Sequence, residues 1–259
     1  CLKGRPLAQN SPIILVGDSV VLYNEITLYD VSTKTQKKVK IDKWQDQQMR
    51  ILHSDTKANK LYLERRNRRN TMLDVCEVDL STGDVKVIIH EEGVPYIGIE
   101  LASITFLNDY KDIIWWSERT GHGHLYHYDG EGNLKNVITS GNWTAGKVVS
   151  IDEKNRTVYF QAYGVTPGEN PSYAKICKAN VDGKGKMVVL TPEEATHNVI
   201  FCPSKRFIID AFSRPDLPYQ FTVRDTRQGD LVFKLSELDL NDMYKQGWKM
   251  PETFSVKAA

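Results

Sequence analysis

The feature that most constrains the fold of this chain is a polar turn that recurs at nearly constant spacing. Each copy is rich in Asp, Gly, Thr and Lys and separates two stretches in which apolar and polar residues alternate. The copies begin 49, 50, 51 and 45 residues apart, at Asp30, Asp79, Asp129, Asn180 and Asp225. Asp and Asn side chains can cap a turn backbone, and Gly accepts a positive φ, so each copy is predicted to close a β-hairpin.

Further strands flank each hairpin and complete a repeating unit. An apolar strand such as residues 112–116 comes first, then a strand of period two such as residues 73–78, and a third strand such as residues 84–89 follows the turn. A fourth and more variable strand, such as residues 146–151, precedes the next apolar strand. Four strands in about 50 residues match the size of a β-propeller blade.

The sequence therefore predicts an all-β fold made of β-propeller blades, with about five four-stranded units. Their expected bounds are roughly 20–70, 70–120, 120–170, 170–215 and 215–235, phased loosely against the turns. A short helical turn is expected within residues 236–244. Helical solenoids are excluded because no long window combines apolar spacing of 3.6 residues with helix caps.

Charge and cysteine content narrow the function classes. Thirty-four Lys and Arg against 33 Asp and Glu give a net charge of +1, which argues against nucleic-acid binding by bulk electrostatics. No apolar run approaches the roughly 20 residues of a membrane-spanning helix. The four cysteines form no CxxC pair, and Cys76 and Cys177 occupy apolar positions of alternating strands, where buried thiols are predicted. Cys1 leaves open a lipidated N-terminus.

Two clusters of polar residues suggest binding sites, and each also has a structural interpretation. His122, His124 and His127 have no carboxylate or cysteine at ligand spacing, so a hairpin turn with two solvated histidines is favoured and no metal is predicted. Residues 64–70 carry four arginines. They could contact phosphate or nucleic acid, but the neutral net charge and the lack of nearby stacking aromatics favour a solvated hairpin tip.

The sequence contains no catalytic motif of a known type. Gly-x-Ser-x-Gly, the Gly-rich phosphate loop and HExxH are all absent. We therefore expect no catalytic residue, no cofactor and no enzymatic activity from this chain alone. Trp115 and Trp116 alternate on one strand, so one ring is expected in the core of a blade and the other between blades.

One segment resembles a known family. Residues 114–129 read Ile-Trp-Trp-Ser-Glu-Arg-Thr-Gly-His-Gly-His-Leu-Tyr-His-Tyr-Asp. This resembles the W-x-S-[DE]-R-[DT]-G-x-x-H-[LI]-Y-x-Y-D blade motif in the non-catalytic propeller of the dipeptidyl peptidase IV family of serine peptidases. Residues 134–143, 155–160 and 66–79 are similar to further blade segments of that family, and the resemblance covers roughly residues 20–257.

The resemblance implies a domain organisation. The family has an eight-bladed propeller followed by an α/β-hydrolase domain, so residues 1–240 are expected to be a partial propeller and residues 241–259 a linker to a hydrolase domain. Residues 251–259 are similar to the strand that opens that domain. The family's nucleophile, Asp and His would then lie beyond residue 259. The longer protein is expected to be a periplasmic or secreted serine dipeptidyl (Xaa-Pro) aminopeptidase.

The resemblance also implies partners and a substrate contact. In the family, the connection matching residues 93–100 presents an aromatic and a polar residue to the peptide, so Tyr96 and Glu100 are predicted to bind substrate. The alternative is an ordinary inner strand entered at Pro95. The hydrolase domain and a peptide are the expected partners, and open edge strands allow a homo-oligomer. A competing function is a stand-alone propeller that binds a protein or a glycan.

Overall fold

The structure is a computed structural model that describes residues 23–252, 254, 256 and 257. Cys1, for which a lipidated N-terminus is left open, lies outside the described residues, as do four positions of the segment expected to open a hydrolase domain. The chain divides into two compact units, Cys1–His90 and Glu91–Ala259.

The described part of the first unit, residues 23–90, contains two sheets. Strands β1 (Thr27–Asp30) and β2 (Thr35–Lys38) form a two-stranded antiparallel sheet. A four-stranded sheet follows in chain order, with strands β3 (Gln48–Asp55), β4 (Lys60–Arg66), β5 (Met72–Asp79) and β6 (Val85–Glu92), the last of which ends in the second unit. Apolar side chains of β4 and β5 pack with Val39 and Ile41 in a buried core. Cys76 lies in this core, as predicted, and burial raises the pKa of its thiol to about 12.

The second unit contains three four-stranded antiparallel sheets, each in chain order. The first comprises β7 (Ile104–Leu107), β8 (Asp112–Ser117), β9 (His124–Asp129) and β10 (Leu134–Val137). The second comprises β11 (Thr144–Asp152), β12 (Thr157–Tyr163), β13 (Ala174–Asn180) and β14 (Val188–Val189). The third comprises β15 (Thr196–Phe201), β16 (Phe207–Arg214), β17 (Leu217–Asp225) and β18 (Leu231–Glu237), and helix α1 (Asn241–Lys245) follows it.

This arrangement confirms the predicted all-β fold built from propeller blades. The turn chemistry is also confirmed, because the side chain that begins each turn accepts backbone hydrogen bonds. The Asp79 carboxylate accepts from the Ser81 N–H at 2.7 Å, and the Asp225 carboxylate accepts from the Arg227 N–H at 2.8 Å. Cys177 in β13 is buried as predicted.

The predicted bounds of the repeating units are wrong, because they are displaced along the chain from the bounds of the observed sheets. Each of the last four recurring turns joins the third and fourth strands of a sheet, as between β5 and β6, so a sheet ends one strand after its turn. The expected boundary at residue 70 instead separates β4 from β5 within one sheet. A turn sequence identifies a hairpin, but it does not tell which hairpin of a blade it closes. The helix is also shorter than expected, because Ser236 and Glu237 still belong to β18.

No helix among the residues described here is long and apolar enough to cross a membrane.

Candidate functional site

A cavity of about 510 Å³ opens in the second unit beside the segment between β6 and β7. Its lining includes residues 91–97 at the end of β6 and the start of that segment, residues 115–119 at and just after the end of β8, and Gly121. Tyr96, predicted to bind substrate, lines the cavity with 62% of its surface exposed. Glu100, the other predicted contact, is exposed on the same segment beyond the lining residues. The cavity volume lies within the range of about 300–1,000 Å³ that is typical of ligand sites.

The segment that carries Tyr96 is a compact loop. A Cβ atom added to Gly93 would lie 2.7 Å from Cγ1 of Ile97, so glycine allows the chain to fold back closely at this point. Ile97 is buried and Tyr96 points outward. The Leu101 and Ala102 N–H groups both donate to the Gly98 carbonyl at 3.1 Å. The alternative of an inner strand over residues 93–100 is therefore wrong, because β7 begins only at Ile104.

Glu91 fastens the start of this loop to the end of β8. Its carboxylate accepts hydrogen bonds from Trp115 Nε1 at 2.8 Å, from Ser117 Oγ at 3.0 Å, and from the Arg119 guanidinium. Arg119 also lies over the Tyr126 ring, 4.5 Å from its centroid. Burial acts to lower the pKa of Arg119, but the Glu91 carboxylate and the Tyr128 side chain together outweigh it, and the net shift is upward. Glu91 is thus a buried carboxylate with hydrogen-bond donors at both of its oxygens.

Glu118 fastens the middle of the loop. Its carboxylate lines the cavity and accepts a hydrogen bond from the Gly98 N–H at 2.6 Å. The sequence alone predicts no role for Glu118 or for Glu91. Glu118 occupies the [DE] position of the blade motif, and that position is the sequence feature that could have indicated a role for it. Glu91 is brought to Trp115 and Ser117 only by the pairing of distant segments.

The histidines of residues 122–127 are not a solvated group. His124 and His127 are each 2% exposed, which corrects the prediction of a solvated His124. The His124 ring pairs with Thr139 Oγ1 at 3.1 Å and with the Gly141 carbonyl at 3.0 Å, and burial lowers its pKa. Residues beyond β10 fold over this ring, and no pattern within the motif itself could indicate that.

The arginine cluster is only partly the predicted solvated tip. The turn lies at residues 67–71, but Arg65 is 7% exposed and belongs to the interior of the first unit. Arg65 donates to Asp74 Oδ2 and to the Ile41 carbonyl, both at 2.8 Å. The Lys43 ammonium reaches the same carboxylate at 2.9 Å. The prediction of a solvated position is wrong for Arg65, because its hydrogen-bond acceptors come from two other segments of the chain.

A further polar cluster in the last sheet has the composition of a metal site. One ligand atom each of Glu193, His197 and Asp210 lie within 4.8 Å of one another. However, the Arg224 guanidinium donates to Asp210 Oδ2 at 3.1 Å and to the Glu193 carboxylate. Both carboxylates therefore already face a cation of the chain itself, and the cluster is an ion-pair network.

Comparison with known proteins matches most of this chain to one family. A family model described as the dipeptidyl peptidase IV (DPP IV) N-terminal region matches residues 23–219. Dipeptidyl peptidase 4 of Trichophyton equinum is 23% identical over an alignment of 209 residues, and the alignment covers 74% of this chain and 26% of the relative. The same-named protein of Trichophyton rubrum is 23% identical over 214 residues, with the same two coverages.

A solved structure agrees in fold. The crystal structure of Porphyromonas gingivalis dipeptidyl peptidase 4 superposes with a TM-score of 0.71 at 22% sequence identity. The match covers 85% of this chain and 31% of that structure. The chain therefore spans about a quarter of the length of the curated relatives it matches.

Proposed function

Because this chain belongs to the dipeptidyl peptidase IV N-terminal region family, we propose that it is a non-catalytic propeller segment of a larger serine peptidase. In this proposal it supports an α/β-hydrolase domain of the same longer chain and limits which peptides reach it. The longer protein is a periplasmic or secreted dipeptidyl aminopeptidase that acts on Xaa-Pro peptides. The observation that carries the proposal is the cavity beside the Tyr96 loop, found within the part of the chain that matches the family.

The physical basis of the proposed gating is exclusion. A propeller placed over a hydrolase site admits only chains thin and flexible enough to pass, which favours short peptides. The loop at the cavity is suited to contact such a peptide, because Tyr96 is exposed while Ile97 and Glu91 on either side are buried. An exposed aromatic ring on a fixed backbone provides contact area at a low entropic cost.

Tyr96 and Glu100 are the proposed peptide contacts. The Tyr96 ring offers an apolar surface at the cavity, and the exposed Glu100 carboxylate offers a charge-assisted hydrogen bond to a peptide N–H or ammonium group. Neither residue is asked to take part in bond making or breaking. They bind the substrate equally well in the ground state and the transition state. Loss of either contact should therefore raise KM and leave kcat unchanged.

The test uses the longer protein encoded around these residues. A Gly-x-Ser-x-Gly motif in the coding sequence after residue 259, together with hydrolysis of an Xaa-Pro chromogenic substrate, supports the proposal. A stop codon there supports instead the stand-alone propeller that binds a protein or a glycan.

Tyr96→Ala in the longer protein should raise KM several-fold, by roughly the 0.5–1.5 kcal/mol expected for a lost aromatic contact, with kcat unchanged. Tyr29→Ala is the matched control, because Tyr29 is 60% exposed and lies in the first unit. Equal kinetic constants in the two variants, with both folded by circular dichroism, would remove Tyr96 from the substrate site.

A further inference from the structure

The Tyr96 loop is fastened to one short stretch of chain at two points. Glu91 at its start receives hydrogen bonds from Trp115, Ser117 and Arg119. Glu118, which lies within the same stretch, receives the Gly98 N–H. The two carboxylates therefore act from opposite directions. Glu91, near the end of β6, leads into the loop and is held by residues at and just after the end of β8, whereas Glu118, which directly follows β8, holds the loop.

The bond from Gly98 to Glu118 is short, and it has a charged acceptor. At 2.6 Å it lies at the close end for an N–H donor, and an ionised acceptor makes such a bond about twice as strong as a neutral one. A Cβ atom added to Gly98 would lie 3.2 Å from both carboxylate oxygens of Glu118. Glycine at this position is what lets the carboxylate come so near the backbone.

This bond lies two residues after Tyr96. Gly98 also accepts the Leu101 and Ala102 N–H groups through its own carbonyl, which belongs to the next peptide unit, so this residue is the central point of the loop's second half. The Ile97 side chain is held by burial, and the Ile97 carbonyl accepts the Ile99 N–H at 2.8 Å. That carbonyl shares its peptide unit with the Gly98 N–H, so the bond to Glu118 acts on a peptide that also closes a tight turn. Holding Gly98 therefore fixes the backbone on the C-terminal side of Tyr96.

We propose that Glu118 is a positioning residue, which orders the Tyr96 loop by accepting the Gly98 N–H and so prepares Tyr96 for peptide binding. The second half of this statement rests on the proposed function. Without the bond, the loop must be ordered when a peptide binds, and that ordering cost weakens binding. The bond-making groups of the reaction are untouched, so the loss falls on KM and not on kcat.

The first experiment measures the loop itself, in this chain, by hydrogen exchange of peptides covering residues 93–101. Glu118→Ala should speed exchange in this loop about tenfold, the usual effect of losing a hydrogen bond to a charged group. Glu118→Gln keeps an oxygen acceptor and should restore part of the protection. Gly98→Ala, which pushes the carboxylate away, should act like Glu118→Ala, and the two changes combined should add little, because both remove one contact.

Glu153→Ala is the matched control. The Glu153 carboxylate also accepts a backbone N–H, that of Asn108 at 2.9 Å, but away from the cavity lining. This variant should leave exchange at residues 93–101 unchanged. Unchanged exchange in Glu118→Ala, or an equal increase in Glu153→Ala, overturns the proposal whatever the protein's activity.

The second experiment measures kinetics in the longer protein. Glu118→Ala should raise KM for the Xaa-Pro substrate several-fold at constant kcat, Glu118→Gln should raise it less, and Tyr96→Ala combined with Glu118→Ala should be no worse than Tyr96→Ala alone. A KM that responds to Tyr96→Ala but not to Glu118→Ala overturns the positioning role and leaves the proposed function standing. A KM that responds to neither variant overturns both.

Discussion

Strands β8 and β16 have similar sequences and opposite surroundings. Both carry a pair of isoleucines next to large aromatic residues, so both present apolar side chains on both faces. In β8 every residue from Ile113 to Ser117 is buried. In β16 burial alternates: Ile208 is 1% exposed, while Phe207 and Ile209 are 39% and 40% exposed.

The difference extends across the whole last sheet. Ile200, Ile209, Val223 and Phe233 face one another across its four strands and form an apolar row. Of these, Ile200 is 70% exposed and Phe233 51%. Every residue of β18 is exposed. The other face of the sheet is closed, with Asp210 and Arg224 buried in the ion-pair network.

Backbone of the same sheet and of the next one encloses Trp116 at the end of β8. The Trp116 ring lies against Gly123, where a Cβ would be 2.1 Å from it, and its Nε1 donates to the Ala145 carbonyl in β11 at 2.6 Å. A strand with apolar side chains on both faces is thus predicted to lie in a sheet whose two faces are both covered by other layers. They do not tell which face is covered within a given stretch of chain. An exposed apolar face of this width is typical of an interaction surface.

The largest test of this comparison is Trp116→Ala. Removing a fully buried indole leaves a cavity and should lower the free energy of unfolding by about 3–5 kcal/mol. Trp248→Ala is the matched control, because Trp248 is 36% exposed and its loss should change stability by about 1 kcal/mol or less. Chemical denaturation followed by circular dichroism measures both. Similar losses in the two variants would contradict the burial of β8.

An intermediate effect is expected from Asp112→Asn, at the start of β8. Burial acts to raise the pKa of Asp112, but hydrogen bonds from His127 at 2.7 Å and Arg156 at 2.9 Å outweigh it, so the pKa lies below its ordinary value of 3.8. Because the pKa of Asp112 is lower in the folded state, the ionised carboxylate stabilises the fold at any pH above its ordinary pKa. This stabilisation is lost as the pH falls through the lowered pKa of the folded state.

The variant should therefore be less stable than the wild type at pH 7, by about 1 kcal/mol. The difference should shrink at acid pH, where the wild-type carboxyl is protonated. Asp109→Asn, at an exposed carboxylate in the preceding turn, should show neither effect in the same pH series of denaturation curves. A difference between Asp112→Asn and the wild type that stays constant down to pH 2 would rule out the ionic role.

The smallest effect on stability is expected on the exposed face. Ile209→Ser should change the free energy of unfolding by less than about 0.5 kcal/mol, because the side chain is already partly in water. It should, however, reduce concentration-dependent self-association, measured by light scattering after size exclusion. Ile51→Ser, at an isoleucine that is 62% exposed in the first unit, is the control. Identical association of wild type and Ile209→Ser would show that this face does not bind a second copy.

The site was predicted less completely than the fold. The family resemblance predicts Tyr96 as a substrate contact, and Tyr96 lines the cavity. The sequence does not predict the loop that carries it. Glu91 and Glu118, which hold that loop, are ordinary surface-type residues in the sequence. Their roles depend on partners 20 or more residues away, such as Gly98 for Glu118 and Trp115 for Glu91.

The sequence by itself determined the strands, the recurring turns and the four-stranded repeat, because these depend on residues close along the chain. An aspartate caps its own turn within three residues, and alternation fixes which side chains share a face. Tertiary structure alone decided which face is buried, where His124 and Arg65 lie, and where a sheet begins and ends. Each of these depends on a neighbour supplied by a distant segment, and burial and charge pairing are properties of that neighbour as much as of the residue itself.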